Sequence, residues 1–376
     1  MTRWVAAASV IALLAAASAA QQFDFPTPLY DRWHYPFNFS PGTRPTGSVF
    51  SSLGTGVPEF QNFNDRDGVV IVAWDTSTLI TAGLGPDAYD IQSVTITLTN
   101  ESSAAWPVDL TPDEWFTFDV NNDTFINGDG IPRGAPGDAD GESDDADPGR
   151  PIELFGAGFG PVYTSSDWTE SSPYVGGTNT AAAPRDPFPF VFQSGTGVML
   201  HVEDSVEGRW NEAAGVGRFT PTPWAVGVPL GYTPGAQPTP FVVRFDLDLS
   251  LSEGRVRRYF QEQLDQGRVF VEVTSLIETV MFGEPGEIPS FFMKEGVGLE
   301  PGAAAARLAV VLAEGGPAGD VNGDGCVNLA DLAVMLANFG RVGDAGPEDG
   351  DLDGDHDVDL ADLAILLSDF GSGDCG

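Results

Sequence analysis

Two kinds of hydrophobic periodicity divide the chain. Up to about residue 312 the apolar residues form short β-branched and aromatic runs. In the clearest run Val94, Ile96 and Leu98 alternate with threonines, a period of two that buries one face of a strand and leaves the other in water. Further strands are predicted at residues 69–74, 198–202, 241–249, 269–273 and 308–312.

A helical period interrupts these strands once. Val256, Phe260 and Leu264 recur at four-residue spacing and predict a helix over residues 253–266 with one apolar face. Residues 21–67 show no clear period and predict an irregular initial segment. Together with 46 Gly and 29 Pro, which favour turns, the pattern predicts a mainly β domain over residues 21–314, a β-sandwich of jelly-roll type.

A duplicated segment follows this domain. The sequence DVNGDGCVNLADLAVMLANFG, residues 320–340, aligns without gaps with DLDGDHDVDLADLAILLSDFG, residues 351–371. Each copy begins with a twelve-residue loop and continues as an amphipathic helix, and Gly340 and Gly371 are the predicted C-caps. The residues predicted to share one helix face are Leu332, Met335, Leu336 and Phe339 in the first copy and Leu363, Leu366, Leu367 and Phe370 in the second.

The oxygen spacing of each loop is that of an EF-hand-like calcium site. Ca²⁺ needs six to eight oxygens at about 2.3–2.6 Å, and alternate side chains of a tight loop converge on one point. Cys326 and Asp357, at position 7, are expected to contribute their backbone carbonyls. The predicted ligands of two calcium ions are Asp320, Asn322, Asp324, Cys326, Asn328 and Asp331 in the first loop and Asp351, Asp353, Asp355, Asp357, Asp359 and Asp362 in the second.

Two further expectations concern the loop backbones. Val327 and Val358, both at position 8, are predicted to pair with each other as a short strand between the loops. His356 stands at position 6 of the second loop, where glycine normally permits the sharp turn. We therefore expect backbone strain at His356 and weaker binding in the second loop.

This arrangement resembles the dockerin domain, type I class, over roughly residues 317–376. The resemblance implies a small α-helical, calcium-dependent fold that docks onto cohesin modules and so attaches extracellular enzymes, often polysaccharide hydrolases, to a scaffold or surface. The hydroxyls usual at loop positions 10 and 11 are replaced by Leu329–Ala330 and Leu360–Ala361. Either the partner differs and offers an apolar docking surface, or the module is structural and has no cohesin partner.

The charge of the chain restricts its partners. It carries 55 acidic and 17 basic residues, a formal charge of −38, which disfavours nucleic acid and anionic membranes and attracts cations. An acidic, Gly-rich insertion occupies residues 119–149. There Asp119, Asn121, Asp123 and Asn127 have the spacing of a calcium loop but lack its glycine and its terminal carboxylate. Calcium binding and a solvated insertion both remain open for this segment.

The first twenty residues predict export. Arg3, the apolar run from Val5 to Ala17 and the small residues after it are typical of a secretory signal over residues 1–20. Its cleavage would leave a secreted, extracellular or cell-surface protein without membrane insertion.

Residues 315–319 predict a linker before the module at 320–376. Cys326 and Cys375 are the only cysteines, and export permits a disulfide between them.

No catalytic motif is recognisable in the large domain. The chain has only three histidines and no cysteine outside the tail, and this composition disfavours transition-metal and thiol chemistry. The leading hypothesis is a non-catalytic β-sandwich attached through its tail to a cohesin-like or cell-surface protein. The alternatives are a glycoside hydrolase acting on polysaccharide through paired carboxylates, and a carbohydrate-binding module that stacks tryptophans on sugar rings. The tryptophans concerned are Trp33, Trp74, Trp106, Trp115, Trp168, Trp210 and Trp224.

Overall fold

The computed structural model describes residues 20–35, 44–52, 66–101, 106, 108–112, 150–175, 185–203, 205, 211, 214–216, 219–231, 240–279, 288–313 and 319–372. Residues 22–311 form one compact unit, and the described residues from 312 onward belong to a second. The acidic insertion lies outside the described residues. So do residues 1–19 of the predicted signal and residues 315–318 of the predicted linker.

The first unit is mainly β and consists of two largely antiparallel sheets. Its strands are β1 (Ala20–Phe25), β2 (Tyr30–His34), β3 (Thr46–Ser48), β4 (Phe50–Ser52), β5 (Arg66–Asp75), β6 (Ile91–Asn100), β7 (Val108–Asp109), β8 (Arg150–Gly158), β9 (Phe188–Phe192), β10 (Met199–His201), β11 (Ala225–Val226), β12 (Val228–Pro229), β13 (Phe241–Asp246), β14 (Arg268–Ser275), β15 (Glu278–Thr279), β16 (Ser290–Phe292) and β17 (Arg307–Ala313). The helices among the described residues are α1 (Arg255–Asp265), α2 (Leu329–Asn338) and α3 (Leu360–Ser368), with 3-10 turns at Pro86–Ala88, Ser252–Gly254, Lys294–Gly296 and Pro347–Asp349.

The strand order differs between the two sheets. One sheet runs β1-β17-β6-β13-β12, and β16 joins it by pairing with β6 and β3. The other runs β10-β9-β8-β14-β5-β4-β15, with β7 and β11 beside β8 and β2 beside β5. The pairs β7–β8 and β15–β4 are parallel. Most neighbouring strands are distant in sequence, so the sheets are held together by long-range pairing.

The core of the first unit explains why its clearest sequence patterns were predictive. Val94, Ile96 and Leu98 of β6 are all buried, and Leu98 lies opposite Val243 of β13. The predicted helix is confirmed as α1, which packs against β14 and β6 through its apolar face. The run at 69–74 is confirmed as the central part of β5, which pairs with β14, β2 and β4 inside its sheet and is buried from residue 66 to residue 74.

One prediction about this unit is wrong, and some of its strands were not predicted. Residues 21–67 are not irregular throughout, because the described part contains β1, β2, β3 and β4. Strands β8 and β9 were not predicted at all. Strand β2 has buried polar residues, including Arg32 and His34, and β8 is buried along its whole length. Neither strand therefore shows the alternation of apolar and polar residues that marks a half-buried strand.

The second unit contains α2, α3 and a very small core. Its buried apolar residues are Val321, Val327, Met335, Ala345, Val358 and Leu366. Gly340 and Gly371 have the left-handed φ values predicted for them, 89° and 86°, but the cap residues of α2 and α3 are Phe339 and Asp369, one and two residues earlier. Gly319, predicted as linker, instead packs within this unit, where an added Cβ would lie 2.8 Å from Val327 Cγ1.

The predicted apolar helix faces are only half buried. Met335 and Leu366 are fully buried, and Leu332 and Leu363 pack partly against the core. The other predicted members of the two faces are exposed, namely Leu336, Phe339, Leu367 and Phe370. The core is so small that it covers only a narrow stripe along each helix, and the neighbouring apolar residues remain in water.

Candidate metal centre

The second unit has a large uncompensated negative charge. Residues 319–372 contain thirteen acidic side chains and a single basic one, Arg341. The guanidinium of Arg341 pairs with Asp344 and Asp349, at 2.9 and 2.6 Å. Neither of these acids belongs to the predicted ligand sets, so Arg341 does not offset the charge of the loops. A bound cation would do so.

The first loop brings three of its predicted ligands together. Oxygens of Asp320, Asp324 and Asp331 lie within 4.8 Å of one another. The backbone holds the two outer carboxylates in place. Asp320 accepts hydrogen bonds from the N–H groups of loop positions 5 and 6, at 3.1 and 2.7 Å. Asp331 is fully buried and accepts from the N–H groups of Asn322 and Asn328, at 3.0 and 2.9 Å.

The second loop brings its six predicted acids together as two groups of three rather than one. In each group the oxygens lie within 4.8 Å of one another, and the groups are Asp351, Asp353 and Asp355, and Asp357, Asp359 and Asp362. Asp362 is fully buried, like its counterpart in the first loop. It accepts hydrogen bonds from the N–H groups of Leu352, Asp353 and Asp359, at 2.7, 3.1 and 2.7 Å.

Position 9 of each loop caps the helix that follows. Asn328 and Asp359 each accept a hydrogen bond of 2.6 Å from the N–H two residues on. Asp331 and Asp362 complete a capping box by accepting from the N–H of the cap residue. The single side-chain oxygen of Asn328 and one of the two oxygens of Asp359 are thus engaged by the helix, which suits a position that often reaches Ca²⁺ through water.

The two position-7 residues differ in their surroundings. Cys326 is buried and takes part in a disulfide, and its predicted partner Cys375 lies outside the described residues. Its carbonyl accepts a hydrogen bond of 3.4 Å from the Asn328 amide. Asp357 has a buried oxygen, Oδ1, without a hydrogen-bond partner among the described residues. A cation in the second loop would satisfy that oxygen.

Like charges and backbone dipoles shift the pKa values of the second loop in opposite directions. Burial raises the pKa of Asp353 and of Asp357, and the negative charge of the nearby Asp355 adds to both rises. The Asp355 N–H, which donates to Asp353, partly offsets the rise in the pKa of Asp353. Burial alone would also raise the pKa of Asp362. The three N–H groups that it accepts outweigh this effect, and the pKa of Asp362 is lowered. The terminal carboxylate therefore stays ionised, although it is buried.

The pairing predicted between Val327 and Val358 is wrong. Val327 donates its N–H to the carbonyl of Ser372 at 3.0 Å and accepts from the glycine before Ser372 at 2.8 Å. Val358 makes the same two bonds, at 3.0 and 2.8 Å, with Arg341 and the glycine before it. Each loop thus pairs with the residues that follow the helix of the other copy, because both helix ends lie beside the opposite loop.

The strained turn expected at His356 is present. His356 has a φ of 71°, whereas the matching residue of the first loop, Gly325, has a φ of 86°. For a residue with a Cβ, the left-handed backbone conformation costs about 1–2 kcal/mol. The turn is required because it aims the His356 N–H at Asp351 Oδ2, at 3.0 Å.

A group of acids in the first unit was not predicted from the sequence. Oxygens of Asp31, Glu170 and Glu295 lie within 4.8 Å of one another. Burial raises the pKa of Asp31 to about 7, and the charges of Glu295 and Glu170 raise it while Lys294 lowers it. The three acids come from segments more than a hundred residues apart, so no local spacing in the sequence could have indicated them.

A second missed residue is Glu272, on β14. It is fully buried, and neither carboxylate oxygen has a hydrogen-bond partner among the described residues. Burial raises the pKa of Glu272 well above its ordinary value, and the charge of Glu203 adds to the rise. Glu272 lies between valines, and in the sequence this run indicated a strand but no functional residue.

The described tryptophans do not present an open ring to a sugar. Four of them are at most 4% exposed, namely Trp74, Trp106, Trp168 and Trp224. Trp33 is half-buried and stacks on Tyr35 with ring centroids 5.4 Å apart. Trp115 and Trp210 lie outside the described residues. The observed positions fit tryptophans that pack the fold.

Among the helices that the structure describes, none has both the length and the apolar character needed to cross a membrane. Comparison of the chain with protein-family models, with curated proteins and with solved structures finds no match.

Proposed function

We propose that this chain is a secreted calcium-binding protein whose dockerin-like tail, residues 320–376, attaches a non-catalytic domain to an extracellular partner. The attached domain is proposed to be a β-sandwich of jelly-roll type. One calcium ion in each loop stabilises the tail. The observation that carries the proposal is the burial of Asp331 and Asp362, two carboxylates placed among other acids in a unit whose only Lys or Arg is engaged elsewhere.

The donor set favours calcium over other metals. The side chains that converge in the loops offer carboxylate and amide oxygens, which are hard ligands. Zinc and the later transition metals prefer nitrogen and sulfur. The cysteine of the first loop is unsuited to them because its sulfur is in a disulfide. Magnesium demands a near-ideal octahedron, whereas these loops supply more oxygens in a flexible turn.

The size of the tail gives the metal a structural purpose. Its core contains six buried apolar residues, which is too few to stabilise a unit of this length by burial alone. Small domains of this kind are commonly stabilised by disulfides or by a structural metal. A cation that draws Asp331 and Asp362 toward the loop carboxylates would contribute its binding energy directly to folding.

The exposed side chains of the tail support attachment to an apolar partner. Leu329 and Leu336 on α2 are 72% and 55% exposed, and Leu360 and Leu367 on α3 are 71% and 55% exposed. A spacing of seven residues places each pair on one helix face. Leu329 and Leu360 stand at loop position 10, where the dockerin resemblance predicted a hydroxyl side chain. The proposed partner is a cohesin-like or cell-surface protein with a complementary apolar surface.

Calorimetry of the full-length protein tests the calcium part of the proposal. In millimolar calcium we expect separate transitions for the tail and the β unit, and in EGTA we expect only the tail transition to be lost. The double variant Asp331→Asn, Asp362→Asn should behave in calcium as the wild type does in EGTA, and Asp344→Asn serves as the exposed control. A tail that melts identically in calcium and EGTA contradicts the proposal.

Cell-surface binding tests the attachment part. The double variant Leu336→Asp, Leu367→Asp should keep the calcium-dependent melting of the tail and lose binding to the surface of the producing cells. Unchanged binding would exclude the helix faces as the docking surface. In parallel, incubation with a polysaccharide panel should release no reducing sugar. Release of sugar would contradict the proposal that the domain is non-catalytic and would favour a glycoside hydrolase.

A further inference from the structure

We propose that the β unit holds a third divalent-cation site, formed by Asp31, Glu170 and Glu295 and suited to Ca²⁺. This site lies outside the duplicated loops and does not depend on the proposed role of the tail. Asp31 is on β2, Glu170 lies in the segment between β8 and β9, and Glu295 lies in the 3-10 turn at Lys294–Gly296. Three separate segments of the fold therefore converge on one point.

The separation of the oxygens fits one ion. One oxygen of each of the three acids lies within 4.8 Å of the others. Two ligands on opposite sides of a Ca²⁺ ion are about twice its bond length of roughly 2.3–2.6 Å apart, and ligands at smaller angles are closer. A single calcium ion can therefore contact all three carboxylates without a rearrangement of the backbone.

Two buried oxygens in this group have no hydrogen-bond partner among the residues that the structure describes. Asp31 is 4% exposed, and its Oδ2 accepts a hydrogen bond of 2.6 Å from the Lys294 N–H. Its Oδ1 has no hydrogen-bond partner among the described residues, and neither has the buried Oε2 of Glu295. A buried carboxylate oxygen without a partner is costly and therefore rare in folded proteins. A cation between the two oxygens would satisfy both.

The charge of the group indicates a divalent ion. The ammonium of Lys294 pairs with Glu170 Oε2, and the carbonyl of Leu29 also accepts a hydrogen bond from it at 2.8 Å. Three carboxylates and one ammonium have a formal charge of −2. One divalent cation neutralises that charge, whereas a monovalent ion leaves the buried group negative. The oxygen ligands favour calcium.

The competing explanation is a proton shared between the carboxylates. Two acids held close together in a buried site can titrate as a coupled pair, with one of them neutral. That arrangement needs no metal, and it predicts that calcium leaves the stability of the β unit unchanged. The two explanations are therefore separated by a measurement of metal binding at this site.

Terbium luminescence can address this site without interference from the tail. Tb³⁺ replaces Ca²⁺ at oxygen sites and emits when a nearby Tyr or Trp is excited. The Lys294 ammonium lies 5.9 Å from the centre of the Tyr30 ring, and the Trp168 ring is 6.0 Å from Tyr30. Residues 312–376 contain no Trp or Tyr. Sensitised emission from the full-length protein should therefore report mainly on the β unit.

The experiment titrates Tb³⁺ into the wild type and into four variants. We expect saturable emission that excess Ca²⁺ displaces, and at least a tenfold loss of affinity in Asp31→Asn and in Glu295→Gln. Glu300→Gln, an exposed acid in the same segment, and the tail variant Asp331→Asn, Asp362→Asn should retain the wild-type titration. Retention by the tail variant separates this site from the proposed function of the loops.

Two outcomes would overturn the third site. One is the absence of saturable emission in the wild type, and the other is an unchanged titration in both Asp31→Asn and Glu295→Gln. Glu295 is half-buried, so its variant decides the question if Asp31→Asn does not fold. Melting of the β unit gives a second readout, since calcium should raise its transition temperature in the wild type but not in Glu295→Gln.

Discussion

Replacement of Asp362 tests how far the tail depends on one buried carboxylate. The side chain accepts three backbone hydrogen bonds, at 2.7, 3.1 and 2.7 Å, which tie the start of the second loop to the first turn of α3. Loss of a hydrogen bond to a buried acceptor costs about 1–3 kcal/mol. Water can reach part of this exposed loop, so we take the lower value for each bond. Asp362→Ala should then destabilise the calcium-free tail by about 3 kcal/mol.

Calcium should enlarge the effect because Asp362 is also a predicted ligand. An ion at 100 times its dissociation constant stabilises the folded state by about 2.7 kcal/mol, and the variant would lose that contribution in the second loop. Asp331→Ala removes two hydrogen bonds rather than three, so its calcium-free destabilisation should be smaller, about 2 kcal/mol. In the absence of calcium, Asp362→Ala should therefore destabilise the tail more than Asp331→Ala does.

Hydrogen exchange followed by mass spectrometry measures these differences in the full-length protein. A loss of 3 kcal/mol corresponds to a decrease in protection on the order of 100-fold in peptides that cover residues 351–372. The control is Asp344→Ala, since Asp344 is exposed and is not a predicted ligand. If Asp362→Ala exchanges like Asp344→Ala in both EGTA and calcium, then the buried carboxylate does not hold the loop and the reasoning is refuted.

The remaining predictions concern backbone strain and a buried acid. His356→Gly should stabilise the second loop by about 0.5–1 kcal/mol, since relief of the left-handed strain exceeds the added chain entropy of glycine. In the reciprocal change Gly325→Ala, the added Cβ meets no atom within 4 Å, and the left-handed backbone should destabilise the first loop by about 1 kcal/mol. Calcium titration calorimetry measures both loop variants, and unchanged calcium affinities would contradict the reasoning. Glu272→Gln should stabilise the β unit more at pH 8 than at pH 5. The raised pKa keeps native Glu272 protonated while the unfolded chain ionises, so wild-type stability falls as pH rises above the ordinary carboxyl range. Equal gains in melting temperature at the two pH values would contradict this.

Local patterns sufficed for the elements that are local in origin. The four-residue spacing of Val256, Phe260 and Leu264 indicated α1, and the glycines predicted to end α2 and α3 lie within three residues of the last helical residue. These features depend on contacts within one or two turns of chain. The oxygen spacing of the loops likewise identified Asp320, Asp324 and Asp331 as neighbours, because a tight turn brings alternate side chains together.

Features that depend on distant segments could not be read from the sequence. The acids Asp31, Glu170 and Glu295 meet only after β2 has joined its sheet and the turn at 294–296 has folded. The strand β8 lacks alternation because both of its faces are buried. The exposure of Leu336 and Leu367 likewise follows from the small volume of the core rather than from their helical positions.

The exchanged pairing of Val327 and Val358 has a consequence for the minimal size of the tail. A single loop and its helix would leave the N–H and carbonyl of its position-8 valine facing water, since their partners lie at the end of the other copy. The shortest autonomous piece therefore spans both copies. A lone copy could form these hydrogen bonds only with the corresponding segment of a second molecule. Two separately produced halves, one for each copy, should therefore be able to reassemble through these bonds.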